Sequence, residues 1–368
     1  MKLLYVTNMR FPNERAQGKQ VKEMCNALVA HAPVTLVVSA RKTEGTPASF
    51  GLSPQVRVVR IPVLLTAQWG RAGFLLESFS FAVVAALYAL FRQRGSVALT
   101  REYGCALALS LVGFCTGWES HRGEWNIVIR AALFLGARLV VITHSLVELY
   151  VDMGVPRSRI LYAPDGVDLS RYAALPTREE ARGTLGLPLG KKIAIYNGHL
   201  HTWKGAGTLA RAAAFLPEDF MVMFMGGTDE DIAKFKDQYG GESRVAVIGR
   251  KSDQERPLYL RAANAAVLPN TGEDEISVRY TSPLKLFGYM AAGVPVVASD
   301  LPSIREVLSE EEAFFATPDD PQSFATRLQE VVHNQAHADA RAGRARHKVV
   351  QYEWGKRAEA ILQFLPKP

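Results

Sequence analysis

"TSPLKLFGYMAAGVPVVASD", residues 281–300, decides the fold. Ser282 suits an N-cap, Pro283 the first helical position and Gly293 a C-terminal stop, so the first half predicts a helix. The β-branched run Pro295-Val296-Val297-Ala298-Ser299 then predicts a buried strand. Gly288 alone is out of place, because glycine inside a helix costs roughly 0.5–1 kcal/mol relative to alanine.

The same alternation runs outward in both directions. KLLYVT, VTLVVSA, VRVVRIP, VALTR, ARLVVITH and RILYAP form one set of short β-rich runs separated by helical patterns. KIAIYNG, FMVMFMGG, RVAVIG, AAVLP and PVVAS form a second. Several are apolar on both faces, the pattern of parallel strands covered by helices. Two sets in 368 residues predict two doubly wound α/β domains, with a seam near residues 163–172, where Pro164-Asp165-Gly166 forms a turn. Ligands of such sheets bind beyond the carboxyl ends of the strands, so the chemistry is sought in the loops that follow them.

Composition is that of a globular protein, 48% hydrophobic and 21% charged. Cys25, Cys105 and Cys115 offer no disulfide framework and no metal spacing, which fits a reducing cytoplasm. MKLLYVTNMRFP lacks the apolar core of a signal peptide and reads as a first strand. Residues 1–163 hold 18 Lys+Arg against 9 Asp+Glu, whereas the remainder holds 25 against 27. A basic N-terminal half points to an anionic partner. The basic residues form no stripe interleaved with aromatics, which argues against nucleic acid. The most apolar stretch, residues 74–91, is interrupted by Glu77, Ser78 and Ser80 and reads as a buried or groove-lining helix.

Four loops carry candidate chemistry. The start of the 282 helix offers backbone amides and the positive end of a helix dipole to a phosphate. Thr281 and Ser282 add hydroxyls there, and Lys285 lies one turn in, on one face with Gly288. YNGHLHTWKG, residues 196–205, places Gly198, His199 and Lys204 directly after a strand, with the lysine as a point charge for phosphate. TGWESHRGEW, residues 116–125, reads as a loop in which Glu119 and His121 are polar or acid–base groups. TNMRFPNERAQGKQ, residues 7–20, ends at Gly18, where backbone approaches a ligand closely. It is not a GxGxxG fingerprint, and Walker A, HExxH and GxSxG patterns are missing. No Asp-x-Asp pair suggests a divalent metal holding a diphosphate, so no metal site is predicted.

Assembled, these segments resemble the GT-B glycosyltransferases, and among them the retaining glycosyltransferase family 4. SPLKLFGYMAAGVPVVASDLP is similar to that family's SPLKLFEYMAAG segment, GHLHTWKG to its GRLxxxKG loop and TGWESH to its Glu-x-His segment. PDGVD resembles its interdomain turn and ALTRE its Thr-Arg strand end. The resemblance implies two Rossmann-like domains facing a central cleft. Residues 1–168 would form the acceptor-side domain, and residues 169–349 the nucleotide-sugar domain. A C-terminal helix over 350–368, around Trp354, would pack back on the first.

It also implies roles. Lys204 would bind the donor diphosphate, with His199 standing where an arginine usually helps. The Thr281-Ser282-Pro283-Leu284 turn and Lys285 would serve the same phosphates, Arg250 would lie near the base, and Gly18 would approach the donor. His121 would face the sugar or acceptor. The chain departs from the family at two glutamates: Tyr280 and Gly288 stand where relatives carry a carboxylate near the donor sugar and one on the ribose. Glu273, Asp274 and Glu275 lie nearby, and Glu275 is the expected substitute.

The function so implied is a retaining, metal-independent transferase with no cofactor beyond its nucleotide-diphosphate sugar. Its acceptor would be a lipid-linked or cell-surface polysaccharide intermediate, reached from the cytoplasm at the cytoplasmic face of a membrane. The alternatives are a catalytically impaired homologue acting as a nucleotide-sugar- or partner-binding regulator, and a nucleotide-sugar epimerase of the same shape.

Overall fold

The structure, a computed structural model, describes residues 1–43, 45–200 and 204–366. Two compact units divide the chain, Met1–Asp165 with Trp354–Pro368, and Gly166–Glu353.

The first unit is built on β1 (Lys2–Thr7), β2 (Val34–Ser39), β3 (Arg57–Ile61), β4 (Ser96–Thr100), β5 (Thr116–Ser120), β6 (Arg138–Val141) and β7 (Ile160–Tyr162). They form one parallel sheet in the order β3-β2-β1-β4-β5-β6-β7. The second is built on β8 (Lys192–Asn197), β9 (Phe220–Met225), β10 (Val245–Gly249), β11 (Ala265–Leu268), β12 (Val296–Ser299) and β13 (Ala313–Ala316). Their order is β10-β9-β8-β11-β12-β13, again parallel. In each sheet the winding reverses beside its first strand, between β1 and β4 and between β8 and β11. Such a switch point is where doubly wound sheets open a crevice.

The apolar runs became strands for the expected reason. β2 and β12 are buried throughout, and the second unit has a core on each face of its sheet. Two strands have weak sequence signals. TGWES, read above as loop, is β5: its Gly, Glu and Ser are poor strand formers, but its position between β4 and β6 overrides propensity. AFFA, β13, is only four residues long.

The stretch that opened the analysis is helix Leu284–Ala292 followed by β12. Pro283, with an extended ψ of 107°, is the N-cap residue, one position later than expected, and its own side chain offers no cap hydrogen bond. The apolar helix Gly70–Arg92 buries Phe81, Ala82, Ala85 and Ala89 against the first sheet. Contrary to the expectation of a buried or groove-lining helix, its other face, including Phe79 and Phe91, is exposed. The units divide at 165/166 and 353/354, not at 168/169 and 349/350, because Val167 bridges to Glu353 and donates to the Tyr352 carbonyl.

Candidate functional site

In the second unit the loops after β8 and β11 meet at the switch point. The left-handed Gly205 lets them touch: a Cβ there would lie 1.5 Å from the Pro269 carbonyl oxygen. No side chain fits, so the glycine that follows Lys204 is required by packing. His201, Thr202 and Trp203 of this loop lie outside the described residues.

Helix Leu284–Ala292 clasps the end of β8. Tyr289 Oη accepts from Asn197 N at 2.9 Å, and one turn earlier Lys285 Nζ lies 4.3 Å from the Tyr196 ring centroid. Lys285 Nζ is buried and makes no hydrogen bond among the described residues. Burial pushes the Lys285 ammonium well below the usual lysine range, and the nearby charge of Lys204 lowers it further. Burial also lowers Lys204, to about 8, partly offset by Asp274. Two desolvated cations thus adjoin the amino end of a nine-residue helix. The first backbone bond there runs from Leu286 N to the Pro283 carbonyl, so the amides of Leu284 and Lys285 precede the hydrogen-bonded ladder. This arrangement suits an anion with several oxygens.

The other expected residues take more varied positions. Ser282 is buried, and Thr281 Oγ1 donates to the Ile276 carbonyl at 2.7 Å. His199 Nδ1 stands 3.7 Å from Asp231 Oδ2, and its carbonyl accepts from Tyr196 Oη. Arg250 follows the edge strand β10 and is exposed. Of the acidic cluster, Asp274 caps the short helix Glu275–Arg279, Glu273 is exposed, and Glu275 is exposed and accepts from Tyr280 Oη at 3.2 Å.

Gly288 has a specific neighbour that no local pattern announces. A Cβ there would lie 2.9 Å from Tyr172 Oη. Tyr172 is buried beside Arg256 and Arg171, and burial raises its phenol to about 12. The phenol therefore occupies the space a side chain at 288 would need.

In the first unit a second cluster forms at the carboxyl ends of β4 and β5. Glu119 Oε1 accepts from Gln20 Nε2 at 2.6 Å, His121 Nε2 at 2.7 Å and Arg357 Nη2 at 3.0 Å. Arg101 holds Gln20 in turn. Burial alone would raise Glu119, but Arg357 and His121 hold it well below the usual carboxylate range. Burial and Arg101 lower His121 to about 4 against the opposing pull of Glu119, leaving a neutral imidazole at neutral pH. With Nε2–H donated to Glu119, Nδ1 is the acceptor nitrogen. Arg357 comes from the C-terminal helix Trp354–Phe364 and also donates to the Ala163 and Pro164 carbonyls. Gly18 lies inside helix Ala16–Leu28 rather than ending the loop before it, and a Cβ there would lie 2.1 Å from the Asn13 carbonyl. Its own loop fills that space.

The two parallel doubly wound sheets, one with an anion-suited switch point, define the GT-B architecture. Residues 177–348 match the family described as glycosyl transferases group 1, placing such a domain on most of the second unit. The D-inositol 3-phosphate glycosyltransferase of Kineococcus radiotolerans is 25% identical over 64% of this chain and 57% of its own. The phosphatidyl-myo-inositol mannosyltransferase of Mycobacterium leprae is 26% identical over 54% of this chain and 51% of its own. The chain spans about half the length of these curated relatives. Among solved structures, Alr3699/HepE of Anabaena in complex with UDP has a TM-score of 0.77 at 15% identity, covering 99% of both chains. That likeness establishes the fold.

Proposed function

We propose that the protein transfers a sugar from a nucleoside diphosphate sugar to a glycan or lipid-linked acceptor, retaining the anomeric configuration and placing no metal on the diphosphate. The observation that carries this reading is the Lys204–Lys285 pair at the start of helix Leu284–Ala292. Two desolvated ammonium groups repel each other, and an anion between them removes that cost.

In the reaction the bond from the anomeric carbon to the diphosphate oxygen breaks and its electron pair goes to the leaving group. Lys204, Lys285 and the amides of Leu284 and Lys285 would meet that charge, with His199 nearby on the same loop. Glu275, tied to Tyr280, is the candidate carboxylate for the donor sugar's hydroxyls. The Tyr172 phenol is the candidate for the ribose, in the space beside Gly288. The acceptor side is assigned to the first unit, where neutral His121 presents Nδ1 to a hydroxyl. The resemblance to retaining enzymes supports the stereochemistry, and the relatives' names support a glycosyltransferase.

A nucleotide-sugar panel read by thermal shift and calorimetry, followed by a turnover assay, tests the reading. Lys204→Ala should lose about 10²–10³ in rate, by analogy with oxyanion-hole deletions. A near-wild-type rate sinks the site assignment. Donor binding without transfer or hydrolysis favours a nucleotide-sugar-binding regulator instead, a reading that the replaced carboxylates at 280 and 288 support.

A further inference from the structure

The first unit carries a surface that neither cluster explains. Helices Gly70–Arg92, Tyr103–Leu111 and Ile127–Phe134 pack side by side on its sheet. Along the first, Leu75, Phe79, Val83, Leu87 and Phe91 follow i,i+4 steps and are all exposed, a stripe of about 24 Å at 1.5 Å per residue. Phe79 and Phe91 are 67% and 71% exposed, and on the third helix Ile127 and Phe134 are 73% and 89% exposed. Single exposed apolar residues are ordinary, but a run across three adjoining helices marks an interaction surface. Each helix returns the chain to the start of a parallel strand. Their C-terminal ends, with Phe91, Leu111 and Phe134, therefore gather at the amino edge of the sheet, opposite Glu119 and His121.

Charge selects the partner. The exposed charges of these helices are Arg71, Arg92 and Arg130. Their one acidic residue, Glu77, is buried and paired with Arg41. Two such cationic faces repel each other, whereas an anionic lipid surface attracts one.

We propose that the first unit docks on an anionic lipid bilayer through this three-helix face, with its apolar side chains in the headgroup boundary and its arginines on lipid phosphates. Residues Ala67–Arg92 are long and apolar enough to cross a membrane. The seating of Phe81, Ala85 and Ala89 on the sheet and the Glu77–Arg41 pair keep the helix lying flat, as an interfacial element. The proposal deepens the lipid-linked acceptor reading by giving it a surface, yet it concerns binding alone and is measured with neither donor nor acceptor.

The test is co-sedimentation of the full chain with phosphatidylcholine vesicles, with and without about a third phosphatidylglycerol. Binding should require the anionic lipid and fall at least about tenfold between low and high salt. The double variant Phe79→Ser/Phe134→Ser should lose at least tenfold in vesicle affinity while calorimetry with UDP stays unchanged. Arg71→Gln/Arg92→Gln/Arg130→Gln should abolish the preference for phosphatidylglycerol and serves if the first variant fails to fold. Failure of the wild type to bind anionic vesicles overturns the proposal, as does wild-type binding by both variants. Sedimentation velocity showing a dimer that Phe79→Ser/Phe134→Ser dissolves, without vesicle binding, assigns the face to a second copy and overturns it equally. Loss of UDP binding with vesicle binding intact would refute the donor reading alone.

Discussion

Lys285→Met separates a cation that awaits an anion from one that holds the fold, because the two predict opposite signs. In the structure Lys285 Nζ is buried, lacks a hydrogen-bond partner among the described residues and is repelled by Lys204. An unsatisfied buried polar group costs about 1–3 kcal/mol. The Tyr196 ring, 4.3 Å away, offsets about 0.5–1 kcal/mol of that. Methionine keeps most of the volume without the charge, so the ligand-free protein should gain about 1 kcal/mol, a rise of about 2–4 °C in Tm for a unit of this size. Binding should move the other way. An ammonium about 4 Å from a phosphate charge interacts by about 4 kcal/mol at an effective dielectric of 20, an upper bound before desolvation. A loss of about 10²-fold in UDP affinity is therefore expected. Thermal unfolding without ligand and calorimetry with UDP read the two effects separately. A lower Tm together with unchanged UDP affinity would falsify the anion-site reasoning and make Lys285 a structural residue.

Lys204, lowered to about 8, should give UDP affinity that declines tenfold per pH unit above about pH 8 as the ammonium is lost; Lys204→Arg should flatten that decline in a calorimetric pH series. Its folded pKa lies below its unfolded one, so the cost of burying the charge is relieved as pH rises from about 8 toward 10.5, and ligand-free stability should rise over that window in urea titrations. Gly288→Glu should cost about 1–3 kcal/mol by overpacking against Tyr172, and Gly288→Glu/Tyr172→Ala should recover part of it; additive losses in the double-mutant cycle would refute the contact. Arg357→Met should destabilise the protein by about 3–5 kcal/mol by taking the guanidinium from the buried Glu119 carboxylate, which keeps Gln20 and the neutral His121, and Arg357→Met/Glu119→Leu should be milder than the single variant; equal losses would show that Glu119 does not depend on it. Because Glu119 is held below its unfolded pKa, the stability it contributes is present above about pH 4.5 and lost as pH falls below that.

What was legible in the sequence is what local pattern encodes. β-branched runs such as VTLVVS and VVAS identified strands because both faces of a parallel sheet are covered, so no polar residue need alternate. That Lys204 and the 281–285 turn share one ligand is an implication of the family resemblance, and the structure brings Lys204 within electrostatic reach of Lys285. TGWES was opaque because its strand state comes from its neighbours. Its Gly117 is explained by residues far off in sequence, since a Cβ there would lie 2.6 Å from a methyl of Leu365, just past the C-terminal helix, and 3.1 Å from one of Leu99. The exposed face of residues 74–91 was opaque for another reason: hydropathy measures how apolar a helix is, and says nothing of how wide a face the fold leaves uncovered. Tyr172 over Gly288 and Arg357 on Glu119 join residues 116 and 238 positions apart. A local reading carries no signal at that range.

The two polar clusters resolve opposite electrostatic problems. In the first unit Glu119 is more deeply buried than either lysine, yet Gln20, His121 and Arg357 converge on one of its oxygens, and Arg357 also donates Nε to the Ala163 and Pro164 carbonyls and Nη1 to Met24 Sδ. Such a network rigidifies what it joins, here the C-terminal helix, the end of β5 and the turn leading out of the unit. It also fixes the tautomer of His121 without charging it. In the second unit Tyr172 packs against Gly288 and Tyr289 ties helix Leu284–Ala292 to the end of β8, while Lys285 lies beside Lys204 with an aromatic face and, among the described residues, no carboxylate on its ammonium. A fold that supplies three donors to one buried carboxylate does not lack the means to pair a lysine. Lys285 Nζ, without a hydrogen-bond partner among the described residues, is the group on which the proposed anion site rests, and the paired glutamate marks the scaffold that holds the neighbouring histidine in one state.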